Sequence, residues 1–267
     1  MVEYYKLDKI FLQGVNYQAP NDRFYVIRKI GTDQTADVYL KIDGVDTGAI
    51  ISGIAPLHKI SSNLLGLLSL ADLFYVVPPN KIFSVEGPAG AKLRAVGEIG
   101  KLAPGEALPA DFASRFTDQG KHYLTYLTGT ASLGTDVAWT AGQELEILSL
   151  TPKTIEKYIL NGYAGVTITG DTVAEGDFSV RFYLEGVPLD ILTSEPGKLG
   201  IDALSMPRPP ADTTDEEAFS LADRKIEVLG DRTLRITAIN VSGADKAPAT
   251  GANWSVTLDV ICEYIKG

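Results

Sequence analysis

Two stretches of the chain alternate apolar and polar residues with a period of two, and they do so in nearly the same letters. Residues 37–50 read DVYLKIDGVDTGAI and residues 179–192 read SVRFYLEGVPLDIL. Laid over one another without a gap, they pair Val38 with Val180, Leu40 with Phe182, Ile42 with Leu184, Asp43 with Glu185, Gly44 with Gly186 and Val45 with Val187. A period of two fits a half-buried strand, and an acidic residue followed by glycine fits a tight turn, so each stretch predicts a β-hairpin. The offset between them is 142 (38 to 180). A second pair of matches, KIFSVEG at 81–87 with Leu93-Arg94 and KIEVLG at 225–230 with Leu234-Arg235, stands at offsets of 144 and 141. Ser69-Leu70-Ala71-Asp72 recurs as Ser220-Leu221-Ala222-Asp223 at an offset of 151, which assigns residues 73–80 to an insertion in the first copy. The repeated order of hairpin, short helix, SLAD, strand, turn and strand predicts an internal duplication and an all-β chain of two tandem sandwiches with short flanking helices.

Along the chain, residues 4–12 and 23–30 are rich in Tyr, Ile, Val and Phe and read as strands joined by a turn at Pro20-Asn21-Asp22. Residues 63–70 (NLLGLLSL) predict a short helix capped by Ser61 or Ser62, and Thr214 to Glu217 form the capping box of its counterpart. Residues 89–119 are interrupted by Gly and Pro, with a loop at 103–110. Residues 123–127 and 143–150 then read as strands. Thr151-Pro152 predicts a helix start, with Ile155 and Ile159 one turn apart and an end at Asn161-Gly162. The expected division is a first sandwich over 1–150, a helical linker over 151–162 and a second sandwich over 163–267. Within the latter, strands are expected at 163–169, 225–229, 233–241 and 254–265, with a Pro-rich loop at 206–211 and an exposed loop at 243–253.

Composition narrows the function classes. The 267 residues carry 24 Lys and Arg against 34 Asp and Glu, a net charge of -10, which argues against direct binding of nucleic acid. The single cysteine, Cys262, has no partner for an internal disulfide and lies in an apolar run, so a small buried hydrophobe is expected. The first ten residues, MVEYYKLDKI, lack the apolar core of a signal peptide, and no charge-free stretch of about 18 residues offers a membrane span. The expectation is a chain folded in the cytoplasm, or a processed mature form. On that footing the glycosylation patterns at Asn240 and Asn253 are expected to be silent.

Candidate chemistry is sparse. His58 and His122 stand 64 residues apart with no Cys or carboxylate at metal-ligand spacing. Residues 97–101 (GEIGK) end like a phosphate loop, yet Ala95 and Leu102 occupy the positions that need Gly and a hydroxyl. Glu144 and Glu146 share a strand face, as an acid and base pair or as a solvated face. Asp171, Glu175 and Asp177, and the acidic cluster at 212–217, lack the spacing of a calcium loop. No G-x-S-x-G elbow occurs. Neither catalytic, cofactor-binding nor metal residues are assigned, no cofactor is expected, and the chain is not expected to be an enzyme.

Taken with the two DVYLKIDGV-type hairpins, the flanking helices and the KIFSVEG and KIEVLG strands, this organisation resembles the double jelly-roll major capsid proteins of tailless double-stranded DNA viruses. The resemblance is architectural and covers residues 23–265. It implies a structural protein of a virion, made in the host cytoplasm, whose three copies form a capsomer contacting neighbouring capsomers and other virion proteins, in many such viruses above an internal membrane. Three chains with two similar barrels each present six wedges, which tile a shell as a hexagon does. Exposed apolar residues are then expected on the barrel flanks and few at the loop ends. Two alternatives stay open: a receptor-binding, decoration or carbohydrate-binding protein built from the same sandwiches, and a glycan-acting enzyme with paired jelly rolls.

Overall fold

The computed structural model describes residues 2–44, 49–53, 57–189, 200–206 and 220–267. The chain is all-β and divides into two units, Met1–Thr125 and Tyr126–Gly267. The first contains β1 (Glu3–Leu12), β2 (Asn16–Gln18), β3 (Arg23–Thr32), β4 (Tyr39–Gly44), β5 (Ala49–Gly53), α1 (Leu57–Ile60), β6 (Leu68–Ser69), β7 (Tyr75–Val77), β8 (Ile82–Glu86), β9 (Lys92–Lys101) and α2 (Ala110–Asp118). One antiparallel sheet runs β1-β9-β3-β6, with β7 also beside β3, and the other runs β2-β8-β4-β5. Their inner faces meet through aromatic rings: Phe11 of β1 and Tyr25 of β3 both pack edge-on to Phe83 of β8, at 4.8 and 5.9 Å. Alternation alone puts only one side of β3 into this core. The other side, Phe24 and Val26, is buried under Phe112 of α2 and Phe74, so α2 forms a third layer. Gly100 makes that layer fit, because a Cβ there would lie 2.0 Å from the Phe24 ring.

The second unit contains most of β10 (His122–Ser132), then β11 (Glu144–Leu150), β12 (Glu156–Leu160), β13 (Ala164–Thr169), β14 (Phe178–Leu184), β15 (Val187–Pro188), β16 (Ile201–Asp202), β17 (Ile226–Val228), β18 (Leu234–Asn240) and β19 (Ser255–Lys266). Its sheets run β10-β19-β12-β17, with β13 also beside β19, and β11-β18-β14-β15, with β16 also beside β14. Trp139, Phe178 and Trp254 fill the space between them, with ring centres 4.5 to 6.3 Å apart. Both indoles donate to carbonyls, Trp139 to Gln143 and Trp254 to Lys246, so neither buries an unpaired N–H.

The two strand orders correspond place for place. β4 with its hairpin partner β5 occupies the position of β14 with β15, and the buried Val38, Leu40 and Ile42 answer Val180, Phe182 and the half-buried Leu184. At the second hairpin Glu185 and Gly186 both adopt positive φ (53° and 75°), as a two-residue turn of this hand requires. Residues 45–48 lie outside the described residues; Gly44, where the sequence predicts the turn of the first hairpin, is still in the strand opposite Ala49.

Several sequence expectations are corrected. KIFSVEG and KIEVLG do not occupy equivalent strands: β8 pairs with β4, whereas β17 pairs with β12 in the other sheet. Beyond the hairpins, which match at 142, the offset that fits is 151, taking Ser69 to Ser220, Tyr75 in β7 to Ile226 in β17, and Val85 in β8 to Ile236 in β18. At that offset residues 73–80 match residues 224–231, so they do not stand as the extra segment predicted. Within the helix expected at 151–162, Glu156–Leu160 form strand β12, flanked by β17 and β19, and the boundary between units lies at 125/126 rather than at a linker there. Residues 63–70 are a turn and the short strand β6: Ser61 Oγ donates to the carbonyls of Asn63 and Gly66, and Asn63 Oδ1 accepts from Leu65 N–H. The capping box at 214–217 and most of the Pro-rich loop lie outside the described residues.

Candidate functional site

Exposed apolar side chains single out one strand. Tyr4, Tyr5, Ile10 and Leu12 of β1 are each about half exposed (52, 51, 48 and 46%), whereas Leu65, Val137, Ile155 and others stand singly in turns and at strand ends. Among the described residues the expected gathering on flanks is thus found on β1, and loop ends carry more apolar residues than predicted. Within β1 only Leu7 and Phe11 are buried. The strand ends its sheet and pairs with β9 in one unbroken register, from Glu3 opposite Lys101 to Leu12 opposite Lys92. Among the described residues its other edge carries one hydrogen bond, from Leu12 N–H to the Tyr17 hydroxyl. Asp8, on the outer face of β1, accepts two bonds from the Arg94 guanidinium of β9, at 2.9 and 3.0 Å. This fork holds the Asp8 carboxyl below its ordinary range.

Beside β1 lies an open cleft of about 510 Å3, lined by Tyr4, Tyr5 and Lys6 of β1, Gly97 and Glu98 of β9 and Phe112 of α2. Arg28 of β3 fixes one wall, with its Nε 3.2 Å from Glu98 and its guanidinium 4.8 Å from the centre of the Phe74 ring. Gly97 is enforced by the backbone, since a Cβ would lie 1.9 Å from the Val26 carbonyl. The hydrogen bond from the Tyr5 hydroxyl to Glu3, with the Glu3 charge, pushes that phenol up. The other wall rests on α2, which the sequence reading missed. Buried Arg115 donates to the carbonyls of Leu73, Phe74 and His122, and fully buried Gln119 both donates to and accepts from the Val76 backbone. Arg115 and Gln119 are four apart on one helix face, a spacing visible in the sequence but masked by the Gly and Pro around it. Rings bordered by a carboxylate and an ammonium can receive the flat face of a sugar or an aromatic side chain.

The residues weighed from sequence lie elsewhere. His58 on α1 faces Asp37, Nδ1 to Oδ1 at 3.4 Å, and His122 opens β10. Among the described residues no group of three or more His, Cys, Asp or Glu is placed to hold a metal. Residues 97–101 are the end of β9, not a loop. Glu144 accepts from the Tyr183 hydroxyl at 2.5 Å and stands 3.9 Å from Arg181 and 3.7 Å from Arg235, whose guanidinium stacks 4.3 Å over the Tyr183 ring. Burial, then the bond to Glu144, pushes the Tyr183 phenol up, so it stays a donor. The exposed Glu146 is not among these groups. This is a cross-strand polar ladder on β11, β14 and β18. Asp177 pairs with Lys246 and accepts from Ala174 N–H, while Asp171 caps Thr172 N–H, so the two serve separate turns. Cys262 is fully buried in β19, and burial, with the neighbouring Glu263 charge, pushes its thiol up.

No protein family matches the sequence, and no curated protein matches it. Among solved structures it is similar to a β-porphyranase of glycoside hydrolase family 86 from the human gut bacterium Bacteroides plebeius, at 9% identity and a TM-score of 0.19, over 95% of this chain and 36% of that one. It is also similar to the VP2 subviral particle of infectious bursal disease virus, at 12% identity and a TM-score of 0.18, over 100% of this chain and 81% of that one. The chain thus spans about a third of the porphyranase. No helix among the described residues is long and apolar enough to cross a membrane.

Proposed function

We propose that the chain is a structural subunit of a viral shell, a tandem of two jelly rolls that arose by internal duplication. One observation carries this reading: the recurrence of a single strand order in both units. An eight-stranded jelly roll sets its first, eighth, third and sixth strands side by side in one sheet, and its second, seventh, fourth and fifth in the other. With β6 and β7 counted as one interrupted sixth strand, the first unit follows that order. The second follows it with β12 and β13 as an interrupted third strand, and β15 and β16 as an interrupted fifth. In its finer form the reading is a trimeric capsomer that meets its neighbours in the shell, without contacting nucleic acid directly. Light scattering coupled to size exclusion tests it. A stable trimer is expected, and a 28.7 kDa monomer at micromolar concentration overturns it.

A second reading, a receptor- or carbohydrate-binding protein, is favoured by the half-exposed Tyr4 and Tyr5 beside Phe112 and Glu98 in the cleft. A glycan that binds the wild type and not Tyr4→Ala would support it.

A further inference from the structure

Among the described residues no strand pairs with the second edge of β1, and that edge is complementary to itself. Ten residues without a bulge or proline, exposed on both faces except at Leu7 and Phe11, make a flat edge of the kind that pairs with another strand. Every ladder group of residues 3–11 that is paired among the described residues goes to β9. Groups pointing to the free edge belong to alternate residues. Two antiparallel copies can therefore face each other only where the numbers of opposed residues add to an even value, which also puts opposed side chains on one face.

Few registers satisfy that rule with substantial overlap, and charge separates them. A two-fold axis at Lys6 sets Lys6 against itself, one at Asp8 sets Asp8 against itself, and one at Lys9 sets Lys9 against itself. An axis at Leu7 sets no like charges opposite each other. It overlaps residues 3–11, faces Lys6 with Asp8 twice, faces exposed Tyr4 with exposed Ile10, and faces Tyr5 with Lys9. We propose that β1 pairs antiparallel with β1 of a second copy about a two-fold axis at Leu7, joining the β1-β9-β3-β6 sheets of two subunits into one. This deepens the shell reading and rests on it, since it supplies a two-fold contact between capsomers distinct from the three-fold contact within one. Nine residues at about 3.3 Å each give a contact roughly 30 Å long and one strand wide. That is smaller than the roughly 1,600 Å2 of a standard interface, so association through it is concentration-dependent.

Lys6→Glu and Asp8→Lys each turn both opposite-charge pairs into like-charge pairs, and each is expected to weaken the association in sedimentation velocity by about tenfold. When the two variants are mixed in equal amounts, the glutamate introduced at position 6 of one faces the lysine introduced at position 8 of the other. The native Asp8 of the first then faces the native Lys6 of the second, and the association is expected to return. Asp8 also holds Arg94 and lies 3.8 Å from Lys6 of its own chain, so both variants have effects within the chain, and recovery in the mixture separates those effects from the interface. Tyr4→Cys mixed with Ile10→Cys is expected to form a disulfide on mild oxidation, while neither does so alone. The buried Cys262 takes no part. Association unchanged in both charge variants, absence of recovery in the mixture, or cross-linking of Tyr4→Cys by itself overturns the proposal. A trimer that never associates further sinks this contact alone. A two-fold dimer that never forms trimers sinks the trimeric capsomer alone.

Discussion

At Asp177, burial and pairing pull the carboxyl in opposite directions. Burial penalises its charge, but the Lys246 ammonium at 2.5 Å and the Ala174 N–H more than offset this and hold it below the ordinary range. A carboxyl whose folded pKa is depressed contributes stability that is complete above its unfolded value of about 3.9 and is lost as pH falls through the lower folded value. Lys246→Met is therefore expected to cost about 1 to 3 kcal/mol near neutrality. Urea midpoints of variant and wild type should converge as pH falls from the unfolded value through the lower folded one. A gap of constant size would assign the effect to packing of the Lys246 stem.

At the scale of elements, α2 is the case where one side chain decides a packing. Its N-cap, Pro109, makes no side-chain cap, so the helix depends on tertiary anchors. Arg115 supplies three of them, and Arg115→Met leaves the carbonyls of Leu73, Phe74 and His122 without that donor. Each buried acceptor left unpaired costs about 1 to 3 kcal/mol. Amide exchange in α2 and β7 is expected to rise well above that in β14 and β18, and equal protection would show that Phe112 alone holds the helix.

For the whole molecule, the two units have cores of their own, and this is measurable because both tryptophans, Trp139 and Trp254, lie in the second. Tryptophan emission therefore reports the second unit, while far-ultraviolet circular dichroism reports both. Phe83→Ala removes a ring at the centre of the first core, at about 3 to 5 kcal/mol. The expected outcome in guanidinium is an earlier first phase by circular dichroism with the tryptophan midpoint unmoved. A common shift of both signals would show that the units unfold together.

By itself the sequence determined the strand period, the two hairpin strands with Val38, Leu40 and Ile42 answering Val180, Phe182 and Leu184, the buried Cys262, the loop at 243–253 and the loop predicted at 103–110 up to Ala110, which opens α2, because alternation, turn residues and polarity are properties of neighbours in the chain. Only the tertiary structure decided which strands lie side by side. KIFSVEG and KIEVLG have the same local pattern, yet one lies beside β4 and the other beside β12, since a strand's edges carry no record of their partner until distant side chains pack. The same nonlocal pairing overrode the helix signal of Thr151-Pro152, where β17 and β19 bond to Glu156–Leu160 from both sides. That β1 pairs on one side only among the described residues was likewise invisible in its letters, because an edge is defined by which strands pair with it.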